Sequence, residues 1–168
     1  MSTESPTAAA LANDLKTAFP NLVLATGSVG IYPSADVKRE GIRDLCAALK
    51  SDPRFDLNML MDLSCVDYLH WEEKESRFEV VYNLYSLRHK HRLFLKVRVP
   101  EKEAVVDSVT AIWPAADWFE REVWDMFGIR FSGHPNLKRI LMYDEFKGHA
   151  LRKDYVYNKR QPLLGPLN

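Results

Sequence analysis

The chain has 168 residues, 46% hydrophobic and 27% charged, the make-up of one ordinary globular domain with room for extensions. No run approaches the ~18 apolar residues needed to span a bilayer. Bases and acids balance at 23 each, but residues 130–168 carry eight Lys/Arg against three Asp/Glu, so the first 129 residues hold the other 15 bases and 20 acids; a net +5 tail after a net −5 domain points to an acidic protein partner, nucleic acid or anionic lipid.

Residues 1–19, MSTESPTAAALANDLKTAF, contain Glu4, Asp14 and a single Lys16 without a continuous apolar core. They read as neither a secretory signal nor an Arg-rich transit peptide, which predicts a cytosolic or cytosol-facing chain. Residues 8–19 predict a first helix with Leu11, Leu15 and Ala18 on one side and Pro20 behind it. Residues 21–32 give two short apolar runs broken by Gly27 and Ser28, a strand or tight hairpin. After Pro33, Ser34 or Asp36 caps a second helix whose apolar face is Val37, Ile42, Leu45, Cys46 and Leu49, ending near Asp52. Gly41 inside it costs ~1 kcal/mol relative to alanine.

Three strands follow, each with a period of two. Leu57, Met59, Met61, Leu63 and Cys65 share one face, as do Phe78, Val80, Tyr82 and Leu84, and then Leu93, Leu95, Val97 and Val99. Their connections are short and polar, as antiparallel neighbours require. Helices return over residues 103–113 and 117–127. In the second, Phe119, Val123, Met126 and Phe127 form the apolar stripe, Asp117 is the N-cap with Glu120 completing a capping box, and Gly128 marks the stop. This order predicts an α+β fold over residues 1–129, a small mainly antiparallel sheet with helices on one face. Residues 130–168 show no period and are punctuated by Gly133, Pro135, Gly148, Pro162, Gly165 and Pro166, which predicts an extended basic arm that needs a surface to lie on.

Candidate chemistry is sparse. Cys46 and Cys65 read as reduced core thiols, because an iron–sulfur cluster ordinarily takes four thiolates. His134 and His149 sit in glycine-flanked loops but lack HxxxH or HExxH spacing, so they read as partners of backbone groups rather than metal ligands. His89 and His91 share a strand face at a hairpin, and surface solvation is the stronger reading. Glu122 and Asp125 share a helix face, yet Arg121 stands i, i+4 to Asp125 and no nucleophile accompanies them. No GxGxxG or GxxxxGK[ST] stretch is present for a nucleotide. The tryptophans Trp71, Trp113, Trp118 and Trp124 read mainly as core filling around the last helix and tail. A free-standing nucleic-acid binder, stacking bases on Phe78, Tyr82 and Tyr85, is the competing reading, opposed by Asp62, Asp67 and Glu79.

The run Glu120-Arg121-Glu122, Asp125-Met126-Phe127-Gly128-Ile129, Phe131, Gly133-His134-Pro135, Leu137, Arg139-Ile140-Leu141, Gly148-His149 and Leu151-Arg152-Lys153-Asp154-Tyr155 resembles the signature of the 30-kDa-type (C) subunit of NADH-quinone oxidoreductase, respiratory complex I. The match is specific because many residue types recur at fixed offsets. The resemblance implies a non-catalytic, cofactor-free structural subunit of the peripheral arm, with FMN and Fe-S clusters on partner subunits and membrane contact only through the complex. It implies a place on the cytoplasmic side of the bacterial inner membrane. It implies further that residues 130–168 wrap the 49-kDa-type (D) subunit beside neighbouring Fe-S subunits, with Glu120, Arg121, Glu122, Asp125, His134, Arg139, His149, Arg152, Lys153 and Tyr155 as docking residues.

Overall fold

The computed structural model describes residues 8–73, 75–158 and 161. Helix α1 (Ala8–Ala18) precedes a hairpin of β1 (Val23–Val29) and β2 (Tyr32–Val37), then α2 (Ile42–Ser51) and the strands β3 (Met59–Asp67), β4 (Phe78–Tyr85) and β5 (Arg92–Val99). A 3-10 turn at Glu101–Glu103 leads into β6 (Val105–Asp107), α3 (Ala116–Phe127) and β7 (Arg130–Ser132). The main sheet has the order β1-β2-β5-β4-β3, antiparallel except where β2 runs parallel to β5. The α+β class and the mainly antiparallel sheet are as the sequence predicts.

Periodicity builds this core. Phe78, Val80, Tyr82 and Leu84 of β4 and Leu93, Leu95, Val97 and Val99 of β5 are all fully buried, while Val81, Asn83, Phe94 and Lys96 between them are half-buried. Leu11 and Leu15 of α1, the Ile42, Leu45, Cys46 and Leu49 stripe of α2, and Val123 and Met126 of α3 close over that face. Each large side chain so buried contributes roughly 1.5–3 kcal/mol.

Four expectations are corrected. Residues 33–37 are strand rather than helix: Ser34 and Asp36 cap nothing, and α2 begins only after Gly41, whose φ of 132° no L side chain adopts readily and whose Cβ would sit 2.8 Å from Leu22. Residues 103–113 form no α-helix, because the β-branched pair Val105-Val106 joins β7 in a two-stranded parallel ladder. In β3 the register slips between Leu60 and Asp62, so Leu60 joins Leu63 and Cys65 inside while Met59 and Met61 turn outward. The domain boundary moves too. Arg130–Ser132 pairs with β6 and Phe131 is 3% exposed, so the arm starts near Gly133 rather than at residue 130. Its final stretch, residues 159–160 and 162–168, lies outside the described residues, as do residues 1–7.

Candidate docking interface

Helix α3 is amphipathic but has two covered sides. One packs on β3, and the other lies under the arm. Its N-terminus starts behind Pro114 with Ala115 as N-cap and no side-chain cap. The capping-box expectation for Asp117 and Glu120 therefore fails. Glu120 turns inward, fully buried, and its Oε1 accepts the Val109 N–H at 2.7 Å, pinning the loop before the helix. Its Oε2 has no hydrogen-bond partner among the described residues and lies 4.0 Å from His134 Nε2. Burial pushes the Glu120 carboxyl up to about 7.

Asp125, equally buried, has the opposite fate. Its Oδ1 accepts from Arg139 Nη1 at 2.5 Å, and its Oδ2 accepts three successive backbone N–H groups, those of Ile140, Leu141 and Met142, at 2.9–3.0 Å. Burial alone would raise its pKa, but these four bonds outweigh it and hold the carboxyl below the usual range. The Arg139 guanidinium also donates to the Phe146 carbonyl at 2.7 Å and lies over the Trp124 and Phe146 rings. Arg121 does not pair with Asp125. It donates to the Lys138 and Arg139 carbonyls, with Asp117 at 3.9 Å. A loop with no secondary structure of its own is thus wound around one carboxylate.

The second half of the arm finishes α3. The last four carbonyls of a helix have no intrahelical donor. Here Trp124 O accepts the Gly128 N–H at 2.9 Å, Asp125 O accepts His149 Nδ1–H at 3.0 Å, Met126 O accepts the Leu151 N–H at 3.1 Å, and Phe127 O accepts Arg152 Nε–H at 2.6 Å. The Arg152 charge also complements the negative end of the helix dipole. Gly128 is required twice over, by its φ of 80° and because a Cβ there would lie 2.6 Å from His149 Nε2 and 2.7 Å from Arg152 Nη2. Gly128→Ala should therefore cost roughly 1–3 kcal/mol and unseat the arm. The check is a lower thermal melt together with faster trypsin cleavage after Lys138 and Arg139; unchanged cleavage would contradict it.

Beyond the helix, Asp67 Oδ2 accepts the Lys153 N–H at 2.9 Å, and Arg77, only 7% exposed, bridges Asp67, Asp154 and Glu101. Tyr155 stacks on Phe146 and its hydroxyl accepts from Gln161 Nε2 at 3.1 Å. His134 Nε2–H donates to the Asp117 carbonyl at 3.2 Å, so both arm histidines bond backbone. Among the ten residues read from sequence as docking candidates, only the side chains of Glu122 and Lys153 are left without a bond to their own chain among the described residues. Arg77 and Asp67 were not read as arm-seating residues, since nothing local marks a loop arginine as the partner of an acid 77 positions on, or Asp67 as the acceptor for a backbone N–H 86 positions on.

Other expectations change with burial. His91 is 7% exposed rather than solvated; it stacks on His89, and both rings donate to the loop after α2, at Phe55 O and Pro53 O. Of the tryptophans only Trp113 is core, whereas Trp118 and Trp71 are 64% and 56% exposed. Phe78 and Tyr82 are fully buried and cannot stack on bases, which removes the nucleic-acid reading.

Residues 35–161 match the family described as respiratory-chain NADH dehydrogenase, 30 Kd subunit. The chain belongs to that family. The C subunit of NADH-quinone oxidoreductase from Geobacter metallireducens is 49% identical over 130 residues, 77% of this chain and 74% of that protein. The same subunit from Roseiflexus castenholzii is 44% identical over 154 residues, 92% and 85% of the two. Among solved structures, the trypsin-resistant fragment (1-134) of Nqo5 superposes with a TM-score of 0.66 at 31% identity, over 76% of this chain and 96% of that one. A chain of the membrane-bound sulfane sulfur reductase, an archaeal respiratory membrane complex, shares the fold at 24% identity and a TM-score of 0.63, over 80% of this chain and 76% of that one. The matched span thus takes in α3 and the contacts that wind the arm around it.

Proposed function

We propose that this 30-kDa-family chain is a cofactor-free, non-catalytic structural subunit of the peripheral arm of a proton-translocating NADH-quinone oxidoreductase, in which residues 133–168 dock on the 49-kDa-type (D) subunit beside the Fe-S subunits. FMN and Fe-S centres reside on those partners. The chain sits on the cytoplasmic side of the bacterial inner membrane and reaches the membrane only through the complex. No helix among the described residues is long and apolar enough to cross a membrane. The thiols suit this reading: burial drives Cys46 well up and Cys65 up to about 12, so both stay protonated and poor as metal ligands.

One observation carries the docking role. After the arm has satisfied Asp125 and the end of α3, it still presents Leu141, Leu151, Val156 and Tyr157 at 54–89% exposure, with Lys138, Lys147 and Lys153 forming no ion pair among the described residues. Exposed apolar side chains on a segment that also carries cations unpaired among the described residues are the composition of an interface for an acidic partner.

The test must spare the arm's internal bonds. Deleting residues 133–168 would strip Asp125 of every donor, and Lys50→Glu is no neutral control, because Lys50 Nζ donates to the Ile112 carbonyl. Tyr157→Ser with Leu141→Ser, and Lys147→Glu with Lys153→Glu, should leave the free protein's stability within about 0.5 kcal/mol while assembled complex on a native gel falls several-fold in a null strain. Lys16→Glu should change neither. Wild-type assembly by both arm variants would overturn the docking reading.

A further inference from the structure

The arm crosses one end of the strands, where Asp67 closes β3 and Phe78 opens β4. The register places a different surface at the other end: Met59 pairs with Tyr85 and Tyr85 with Arg92, and β2 enters alongside, so that Tyr32 lies under the Arg92 guanidinium, 4.8 Å from its ring centre. Eight residues of β4 separate the two ends, roughly 25 Å.

Four observations single this end out. A pocket of about 410 Å³ opens there, lined by Leu11, Ile31 and Tyr32 on one side and by Lys90, His91 and Arg92 on another, with no acid in its wall. Neither Lys90 nor Arg92 forms an ion pair among the described residues, and Arg92 Nε is buried without a partner. Lys90 has a φ of 55°, a strained position where glycine or asparagine is easier to place. At the same end of the strands, Ile31 in the pocket wall is 80% exposed, Leu87 just after β4 62% and Met59 at the start of β3 41%.

Buried polar groups are normally satisfied, and an apolar rim of this size is normally covered. We propose that this strand end is a second docking surface, which takes a backbone segment carrying an Asp or Glu flanked by apolar side chains from a neighbouring subunit of the complex. The inference rests on the assembly reading above. The carboxylate pairs with Lys90 and the Arg92 guanidinium, and the flanking side chains cover Ile31 and Tyr32. Charge complementarity selects this occupant, since a basic pocket without an acid repels a second basic arm. With the arm at the opposite end, the domain would bridge two neighbours.

The experiment replaces Ile31, and separately Val156, with a photo-crosslinking benzoylphenylalanine in a null strain, irradiates the purified complex and identifies the linked peptides. The expected result at position 31 is a peptide of another subunit with an Asp or Glu beside the linked residue. A crosslink at 156 to another subunit, with position 31 giving none, its own chain or a second copy, overturns this inference and leaves the docking arm standing. Failure at both positions removes the assembly reading and this one with it. In parallel, Lys90→Glu with Arg92→Glu should lower assembled complex roughly fivefold or more, and Lys90→Arg should retain it; wild-type assembly by the double variant also overturns the proposal.

Discussion

Asp125→Ala should destabilise the protein by roughly 3–5 kcal/mol, because it leaves the Arg139 guanidinium and three backbone N–H groups without their acceptor. Asp125→Asn keeps the shape but not the charge and should cost less. The wild-type dependence on acid follows from the same bonds. Asp125 has a folded pKa below its ordinary value of 3.8, so its contribution is fully present above that value and is lost as pH falls through the lowered one. Chemical denaturation between pH 3 and 7 reads both effects: the wild type should lose stability at the acid end, and the alanine variant should lack that component. If Asp125→Ala melts like wild type at neutral pH, the arm is not held by this carboxylate.

Glu120→Gln should do the reverse and stabilise the protein by about 3 kcal/mol above pH 8. Glu120 binds its proton more tightly in the folded chain, up to about 7 against an ordinary 4.5, because burial disfavours its charge. The folded state therefore loses stability as pH rises from 4.5 to about 7, after which the penalty is constant. A glutamine can still accept the Val109 N–H and never ionises. The variant's stability should be flat where the wild type's declines. Parallel curves for the two proteins across that range would show that Glu120 finds a partner for its charge. A site where removing a charge stabilises is one where the charge serves something other than stability.

The sequence displays what periodicity controls. β4, β5, α2 and the body of α3 follow directly from apolar spacing, because each buries one face against one neighbour. Strands β2 and β6 escape that reading. Pro33, Ser34 and Asp36 look like a helix start, yet hydrogen bonding to β5 decides their state, and β6 is three residues whose partner lies 25 positions on. The arm shows a third kind of limit. Its residue types are conspicuous as a signature, but periodicity cannot say that His149 and Arg152 answer carbonyls of α3, since the same side chains would suit a partner's surface. Only Gly128 carried a local hint, being a helix stop with an unusually crowded back.

The way α3 is finished has a consequence for when the protein becomes usable. The groups that seat the arm are the open carbonyls of a completed helix end and one carboxylate held at a fixed depth, and neither exists on an unfolded chain. Val156 and Tyr157 therefore take up their positions only after the domain is built. A neighbour that grips them is inspecting the fold as well as binding it. On the docking proposal, a copy whose helix end is unfinished offers a neighbour no seated Val156 and Tyr157, and a buried change such as Asp125→Ala is expected to lower the amount of assembled complex without touching any other polypeptide.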